Sequence, residues 1–325
     1  MRSFEHVRVH SVDEALEALG DDWSARVLAG GTDLLHEMKQ GIVAPQRLVD
    51  IKRIPELGDI SDSKGGFSVG ALARISTLEE NPLVCSRMPI LAQAAAEVAS
   101  PQLRNMATVA GNVLQRPRCW YYRDRHTVCL RRGGKLCFAA MGDNSRHAIF
   151  GAAPCSMVCP SDLAPALVAL GAKVEIARRK GRLEMPLQET FRTPKQDPRR
   201  ETCLGPADIL TGFRIPEPAP GSRGVFLKAR ERQVWDFALA SVAALVQTDG
   251  DGAVTSASIV LGGVAPNPWV SQKAQKTLVG EKLTEAACRA AADEAVSEAK
   301  AMKHNGYKVD LTRNLVERAL AELRR

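Results

Sequence analysis

An α+β fold is predicted for this chain, and three observations carry the prediction. In the last third, strand-like alternation over residues 225–230, 241–247 and 254–261 comes first, and helical segments over 271–278, 284–300 and 311–323 follow, so strands and helices are segregated rather than alternating. In the first two thirds, short apolar strands are punctuated by capped helices and glycine turns. The 325 residues, 45% of them hydrophobic, are ample for buried cores and suggest two or more domains.

The elements follow in order. A short strand spans residues 7–9, and Ser11-Val-Asp-Glu14 reads as a capping box opening a helix whose Val12, Ala15, Leu16 and Leu19 share one face before Gly20 stops it. A strand at 26–28 runs into Ala29-Gly-Gly-Thr-Asp33, with helical character after it over 34–38. Gly30 and Gly31 can adopt positive φ and let backbone N–H groups converge on an oxyanion, Thr32 adds a hydroxyl, and the helix N-terminus adds partial positive charge. Taken without its context the loop reads as an ordinary tight turn, and it matches neither Gly-x-Gly-x-x-Gly nor the phosphate-binding P-loop. Strands at 48–51 and 67–71 lie either side of a polar glycine turn at 61–66. Ser76-Thr-Leu-Glu79 reads as a second capping box, and 89–99 as an alanine-rich helix ended before Pro101. Further on, Ser161 and Asp162 cap a helix through Leu170, Gly171 ends it, and 173–178 and 209–215 are strands separated by a surface excursion over 187–206. Pro216-Glu-Pro-Ala-Pro-Gly221 is the clearest linker.

Residues 101–165 hold five of the eight cysteines: Cys119, Cys129, Cys137, Cys155 and Cys159. Between residues 116 and 146, eight arginines and lysines are opposed only by Asp124 and Asp143, so this stretch carries six of the chain's seven net positive charges. Clustered thiols in a basic loop point to an anionic centre, because four thiolates around iron and sulfide, or around zinc, are net negative and guanidinium groups offset that charge. Disulfides compete with this reading, but Met1-Arg-Ser-Phe-Glu-His-Val-Arg8 has no apolar leader character. The chain is therefore expected in the cytoplasm, where thiols stay reduced, unless a partner's leader exports the complex. Zinc favours Cys-x-x-Cys pairs, whereas Cys119, Cys129, Cys137 and Cys155 are ten, eight and eighteen positions apart. Such spacing fits an iron–sulfur cluster wrapped by a long loop, and about equally incidental thiols. No apolar run is long enough to cross a bilayer, and the confined charge excess with 5% aromatic content argues against nucleic acid.

Five motifs occur in order over nearly the whole chain: Ala29-Gly-Gly-Thr-Asp-Leu-Leu35, Leu103-Arg-Asn-Met-Ala-Thr-Val-Ala-Gly-Asn112, Pro160-Ser-Asp-Leu-Ala-Pro165, Lys228-Ala-Arg-Glu-Arg232 and Asp236-Phe-Ala-Leu-Ala-Ser-Val-Ala243. Together they resemble the FAD-binding medium subunit of the xanthine dehydrogenase family of molybdenum hydroxylases. The cysteine-bearing insert is similar to that of the subunits carrying an extra four-iron cluster, the beta subunit of 4-hydroxybenzoyl-CoA reductase and the flavin subunit of bacterial periplasmic-type aldehyde oxidoreductases. Its Cys119-Trp-Tyr-Tyr-Arg-Asp124 and Arg146-His-Ala-Ile-Phe-Gly151 runs lie closer to the latter.

The resemblance implies a two-lobed FAD-binding domain of the vanillyl-alcohol-oxidase (PCMH) type over 1–220, with the iron–sulfur insert at about 115–157, and a C-terminal α+β domain over 221–325. It places Leu28, Ala29, Gly30, Gly31, Thr32, Asp33 and Leu34 around the FAD pyrophosphate, and Thr108, Gly111 and Asn112 in a second flavin loop. Asp162 would meet the adenosine half and Lys228 the isoalloxazine. It further implies a [4Fe-4S] cluster on Cys119, Cys129, Cys137 and Cys155. Cys159 would be left out because it directly precedes the flavin-facing cap at residues 160–162, and the wide gap between Cys137 and Cys155 departs from both resembling families. The implied partners are a small subunit with two [2Fe-2S] clusters, a large molybdopterin subunit and an electron carrier such as ferredoxin. The expected function is electron transfer within that heterotrimer, with no catalytic residue of the chain's own. The alternative is a free-standing flavoprotein oxidoreductase with a zinc-stabilised cysteine loop.

Overall fold

The computed structural model describes residues 1–63 and 65–324, and three sheets organise it. The first is parallel, with Arg47–Asp50 between Glu5–Arg8 and Ala25–Leu28. Its crossovers are the helices Val12–Leu19 and Leu34–Lys39. The Ser11 hydroxyl accepts from the Glu14 N–H at 3.2 Å, as expected of a cap. The Glu14 carboxylate reaches back to the N–H of His10 at 2.8 Å, one residue beyond the cap itself. The apolar face of this helix packs on Val49 and Ile51 in a small core of its own.

The second sheet is antiparallel, in the order Ile60–Ser63, Gly66–Gly70, Ile209–Pro216, Lys173–Arg178, Gly181–Pro186. The turn expected at 61–66 includes Lys64, which lies outside the described residues. Helices Pro89–Ala96 and Leu163–Ala169 belong to the core of this sheet. Two features differ from expectation. The edge strand Gly181–Pro186 is not among the expected strands, although Arg182, Leu183, Glu184 and Met185 alternate polar and apolar as a solvent-facing strand does. Ser76 is not a cap: it lies inside the helix Ile75–Glu80, whose N-cap is Arg74, and Glu79 pairs with Arg104 at 2.6 Å.

The third sheet contains the expected hairpin, Ala240–Thr248 with Val254–Gly262, flanked by Ser222–Ala229 and a short strand, Trp269–Val270, that the sequence did not suggest. Helices Gln272–Leu278, Glu285–Val296 and Tyr307–Leu323 share its core, so this part is α+β in the segregated sense. The second of these helices ends at Val296, short of residue 300, and the third starts at Tyr307, ahead of 311. The connection between them is drawn onto the cysteine segment. The Lys300 N–H donates to the Ile149 carbonyl at 2.7 Å and the His304 N–H to Asn144 Oδ1 at 2.9 Å. Buried Asn305 donates to the carbonyls of His147 and Ala148, both at 3.2 Å, and fully buried Lys308 donates to His147 O at 3.1 Å and Gly263 O at 2.6 Å. Among the described residues no helix is long and apolar enough to cross a membrane.

Asn305→Ala leaves the Ala148 carbonyl without its donor and the His147 carbonyl with Lys308 alone, and the expected cost is about 1–3 kcal/mol of stability. Chemical denaturation should show that loss, whereas Lys303→Ala, on the exposed side of the same connection, should fall within about 0.5 kcal/mol of the parent.

Candidate functional site

The two loops singled out by sequence meet each other. Gly31 takes φ 72°, but Gly30 does not adopt positive φ. Gly30 is required instead by contact, because a Cβ there would stand 2.0 Å from the Met106 carbonyl oxygen of the second loop. In that second loop the Thr108 hydroxyl accepts from the Gly111 N–H at 3.1 Å and opens the short helix Val109–Val113.

Where the loops join, two chambers meet. One has a volume of about 280 Å³ and the other about 540 Å³, and both are lined by Thr32, Asp33, Gly111 and Gln115. Ala29, Gly30, Gly31, Leu34 and Thr108 line the smaller chamber, while Asn112 and Asp162 line the larger. Leu28 lines neither, since it is buried with Met38 and Leu48 in a small apolar cluster. A long cavity with a waist of glycine and hydroxyl groups fits an extended dinucleotide, with the pyrophosphate at the waist and a ring system in each chamber.

Asp162 is not the plain helix cap that its position suggested. Ser161 holds that role: its hydroxyl accepts from the Ala164 N–H at 3.0 Å and donates to Asn112 Oδ1 at 2.6 Å. The Asp162 carboxylate instead meets Lys228 Nζ at 2.7 Å, and Lys228 also donates to the Glu97 carbonyl at 2.9 Å. The Lys228 side chain is 0% exposed and that of Asp162 6%. Burial pushes the Asp162 carboxyl up, and the Lys228 ammonium opposes the shift. The two residues are in direct contact, and Asp162 brings the pair to the wall of the larger chamber.

The cysteine segment leans against this cavity through its arginines. Asp33 accepts from the Arg116 backbone N–H at 2.7 Å and pairs with Arg118 at 2.9 Å and Arg123 at 2.8 Å. Tyr122 donates to buried Glu37 at 2.7 Å, Arg116 pairs with Glu201 at 3.1 Å, and Arg131 pairs with Glu201 as well. The basic stretch therefore divides. Arg116, Arg118, Arg123 and Arg131 are wholly or largely buried and paired, while Arg125 and Lys135 are exposed. Four large apolar side chains, Val128, Leu136, Phe138 and Met141, are also exposed here.

All eight cysteines are free thiols, and Cys119, Cys129, Cys137 and Cys155 lie near enough to act on one another's ionisation. The interaction of Cys137 with Cys155 holds Cys137 down at about 5 and drives Cys155 up. Burial lifts Cys119 to about 11, the charges of Cys129 and Cys137 add to that, and the Tyr121 and Tyr122 N–H groups aimed at its sulfur oppose it. N–H groups of Ala139 and Ser156 point at Cys137, and that of Met157 at Cys155. Buried Cys129 opens the short 3₁₀ turn Leu130–Arg132. Cys159 stands apart in the apolar core, lifted to about 12 by burial, with Glu201 and Asp162 rather than thiols as its charged neighbours. Among the described residues no three of His, Cys, Asp or Glu stand close enough to share a single metal ion.

Several cavity residues carried no signal in the sequence because they come from distant loops. Trp23 is flanked by the guanidinium groups of Arg26 and Arg200 at 4.5 and 4.4 Å from its ring, all three on the smaller chamber. On the larger chamber, Trp235 and Ala99 both take positive φ, 55° and 45°, and the Trp235 N–H donates to the Ala99 carbonyl at 2.7 Å. Half-buried Gln40, whose Oε1 is buried with no partner among the described residues, lines the same chamber.

A waisted cavity between a Gly-Gly loop and a Thr-x-x-Gly-Asn loop, beside a buried Lys–Asp pair, defines a flavin-binding protein, and comparison gives its kind. Residues 2–218 match the family described as the FAD binding domain in molybdopterin dehydrogenase, and residues 225–323 match the CO dehydrogenase flavoprotein C-terminal domain. The chain belongs to this family: it is an FAD-binding medium subunit of the molybdenum hydroxylases, the flavin subunit of a molybdenum-dependent oxidoreductase. It is 34% identical to the aldehyde oxidoreductase FAD-binding subunit PaoB of Escherichia coli K12, over 100% of this chain and 99% of that one. It is 29% identical to the carbon monoxide dehydrogenase medium chain of Hydrogenophaga pseudoflava, over 98% and 96%. In three dimensions it resembles the carbon monoxide dehydrogenase from that organism lacking the Mo-pyranopterin moiety (TM-score 0.78, 28% identity, 98% and 96% covered). The quinoline 2-oxidoreductase of Pseudomonas putida 86 is also similar (TM-score 0.76, 25% identity, 99% and 96% covered).

Because Asp33 ties the cysteine segment to the flavin loop, Asp33→Asn should loosen both. The expected result is FAD binding weakened about tenfold, the loss of roughly one charge-assisted hydrogen bond. Faster tryptic cleavage after Arg123 or Arg125 should accompany it, read by flavin content after gel filtration and by timed proteolysis.

Proposed function

We propose that the chain is the FAD- and [4Fe-4S]-containing electron-transfer subunit of a heterotrimeric molybdenum hydroxylase of the aldehyde oxidoreductase type. It would pass electrons between an external carrier and the centres of a small two-cluster [2Fe-2S] subunit and a large molybdopterin subunit. The observation that carries this reading is adjacency: the segment with the grouped thiols is fixed by Asp33 to the loop at the waist of the flavin cavity. Similarity to an aldehyde oxidoreductase subunit over the full chain favours that class over the hydroxybenzoyl-CoA reductase type.

The chain's residues have separable tasks in this reading. The loops at 29–34 and 108–112 hold the pyrophosphate. The smaller chamber takes the adenosine beside Trp23, and the larger takes the isoalloxazine beside Asp162, with Lys228 behind it keeping that carboxylate charged. Bound FAD supplies two-electron chemistry that can exchange with one-electron centres. Cys119, Cys129, Cys137 and Cys155 hold the cluster. Backbone N–H groups aimed at three of these sulfurs, and the charge of Arg131 on Cys155, favour the ionised form that a cluster needs and oppose the burial that pushes Cys119 and Cys155 up. Outside, exposed Arg125 and Lys135 near Val128, Leu136, Phe138 and Met141 suit an acidic carrier such as ferredoxin. Arg131 and Arg132 do not belong to that surface, since Arg131 is buried against Glu201 and Arg132 donates to the carbonyls of Asp124, Arg125 and Thr127.

Serine substitution at each cysteine of the segment, read by iron content and low-temperature EPR of the reduced protein, tests the assignment. Cys119→Ser, Cys129→Ser, Cys137→Ser and Cys155→Ser should lose iron or alter the cluster signal, and Cys159→Ser should leave both intact. Loss at Cys159 with retention at Cys155 would contradict it.

A further inference from the structure

We propose that His147 is a positioning residue for the cluster, donating a hydrogen bond from its Nε2–H to the Cys119 sulfur and thereby setting the potential at which the cluster accepts an electron. This rests on the cluster reading above. His147 is buried, 3% exposed, and its Nε2 lies 3.2 Å from Cys119 Sγ. Its Nδ1 is buried with no hydrogen-bond partner among the described residues, so no acceptor draws the proton to that side, and toward a cluster-bound thiolate, which can only accept, the proton belongs on Nε2, facing the sulfur.

The ring is also fixed in place. Trp120 meets it edge-on with centroids 5.0 Å apart, and Tyr121 lies at 6.1 Å. The His147 carbonyl is held by Asn305 and by Lys308, both on the connection that clasps the segment. A donor so constrained cannot turn away from the sulfur, which distinguishes it from a histidine that merely fills a core. Hydrogen bonds to cluster sulfurs withdraw negative charge and stabilise the reduced form, so His147 raises the reduction potential.

The test uses the intact complex with ¹⁵N-labelled histidine. Pulsed EPR of the reduced cluster should show a histidine nitrogen coupling that disappears in His147→Gln. Redox titration followed by EPR should place His147→Leu at a more negative potential than the parent, with His147→Gln, which keeps an N–H donor, between them. If the reduced parent complex shows no four-iron signal beyond those of the binuclear clusters, the cluster reading itself fails. If the parent cluster shows no histidine coupling, or both variants keep the parental potential and EPR signal, the role of His147 is overturned. The parent spectrum decides alone should the variants not assemble.

Discussion

One carboxylate holds the flavin and cysteine regions together. Asp33 sits in the loop at the waist of the cavity, yet its oxygens face the neighbouring segment, where they accept from the Arg116 backbone and pair with Arg118 and Arg123. Arg123 is 8% exposed at its side chain, so its charge must be matched, and Glu37 stands at 4.0 Å on its other side. Partly buried pairs of this kind lose little to screening and much to the removal of one partner. The loop cannot shift to admit a ligand, nor the segment swing away, without breaking this contact.

The same rule governs the rest of the site. Lys228 and Asp162 are tolerable in the interior only as a pair, and the pair fixes one wall of the larger chamber. Glu201 performs a similar service for Arg116 and Arg131, tying the cysteine segment to residues that line the smaller chamber. From the opposite side, Asn305 and Lys308 grip the backbone near His147. The thiols are thus framed by contacts to all three parts of the fold, which gives a long loop with little regular structure a defined shape.

Much of this was legible in the sequence, and the remainder failed for identifiable reasons. Local signals held where local physics decides: the Ser11 cap, the stops at Gly20 and Gly171, and the hairpin at 240–262 with its alternating pattern. They failed where a distant partner competes. Ser76 could have been a cap, but Arg74 and the loop at residues 107–108 fix the helix start instead. The last two helices are shortened and lengthened by a clasp whose partners lie some 150 residues earlier in the chain. Most residues of the motif loops line the chambers, Leu28 and Lys228 do not, and the motifs gave no direction for each side chain. Asp33 and Asp162 both face protein cations, Trp23 and Arg200 reach the smaller chamber from loops with no motif, and Trp235 reaches the larger from the gap between two motifs.

The proposed function sets FAD and a four-iron cluster side by side in one chain. Mössbauer spectroscopy of the ⁵⁷Fe-enriched native complex tests it most directly, since a cubane is distinct there from the binuclear clusters expected of the small subunit. The account predicts a [4Fe-4S] component in proportion to flavin that vanishes in Cys137→Ser while the binuclear signals remain. Binuclear iron alone, with zinc or no metal assigned to this chain, would contradict it.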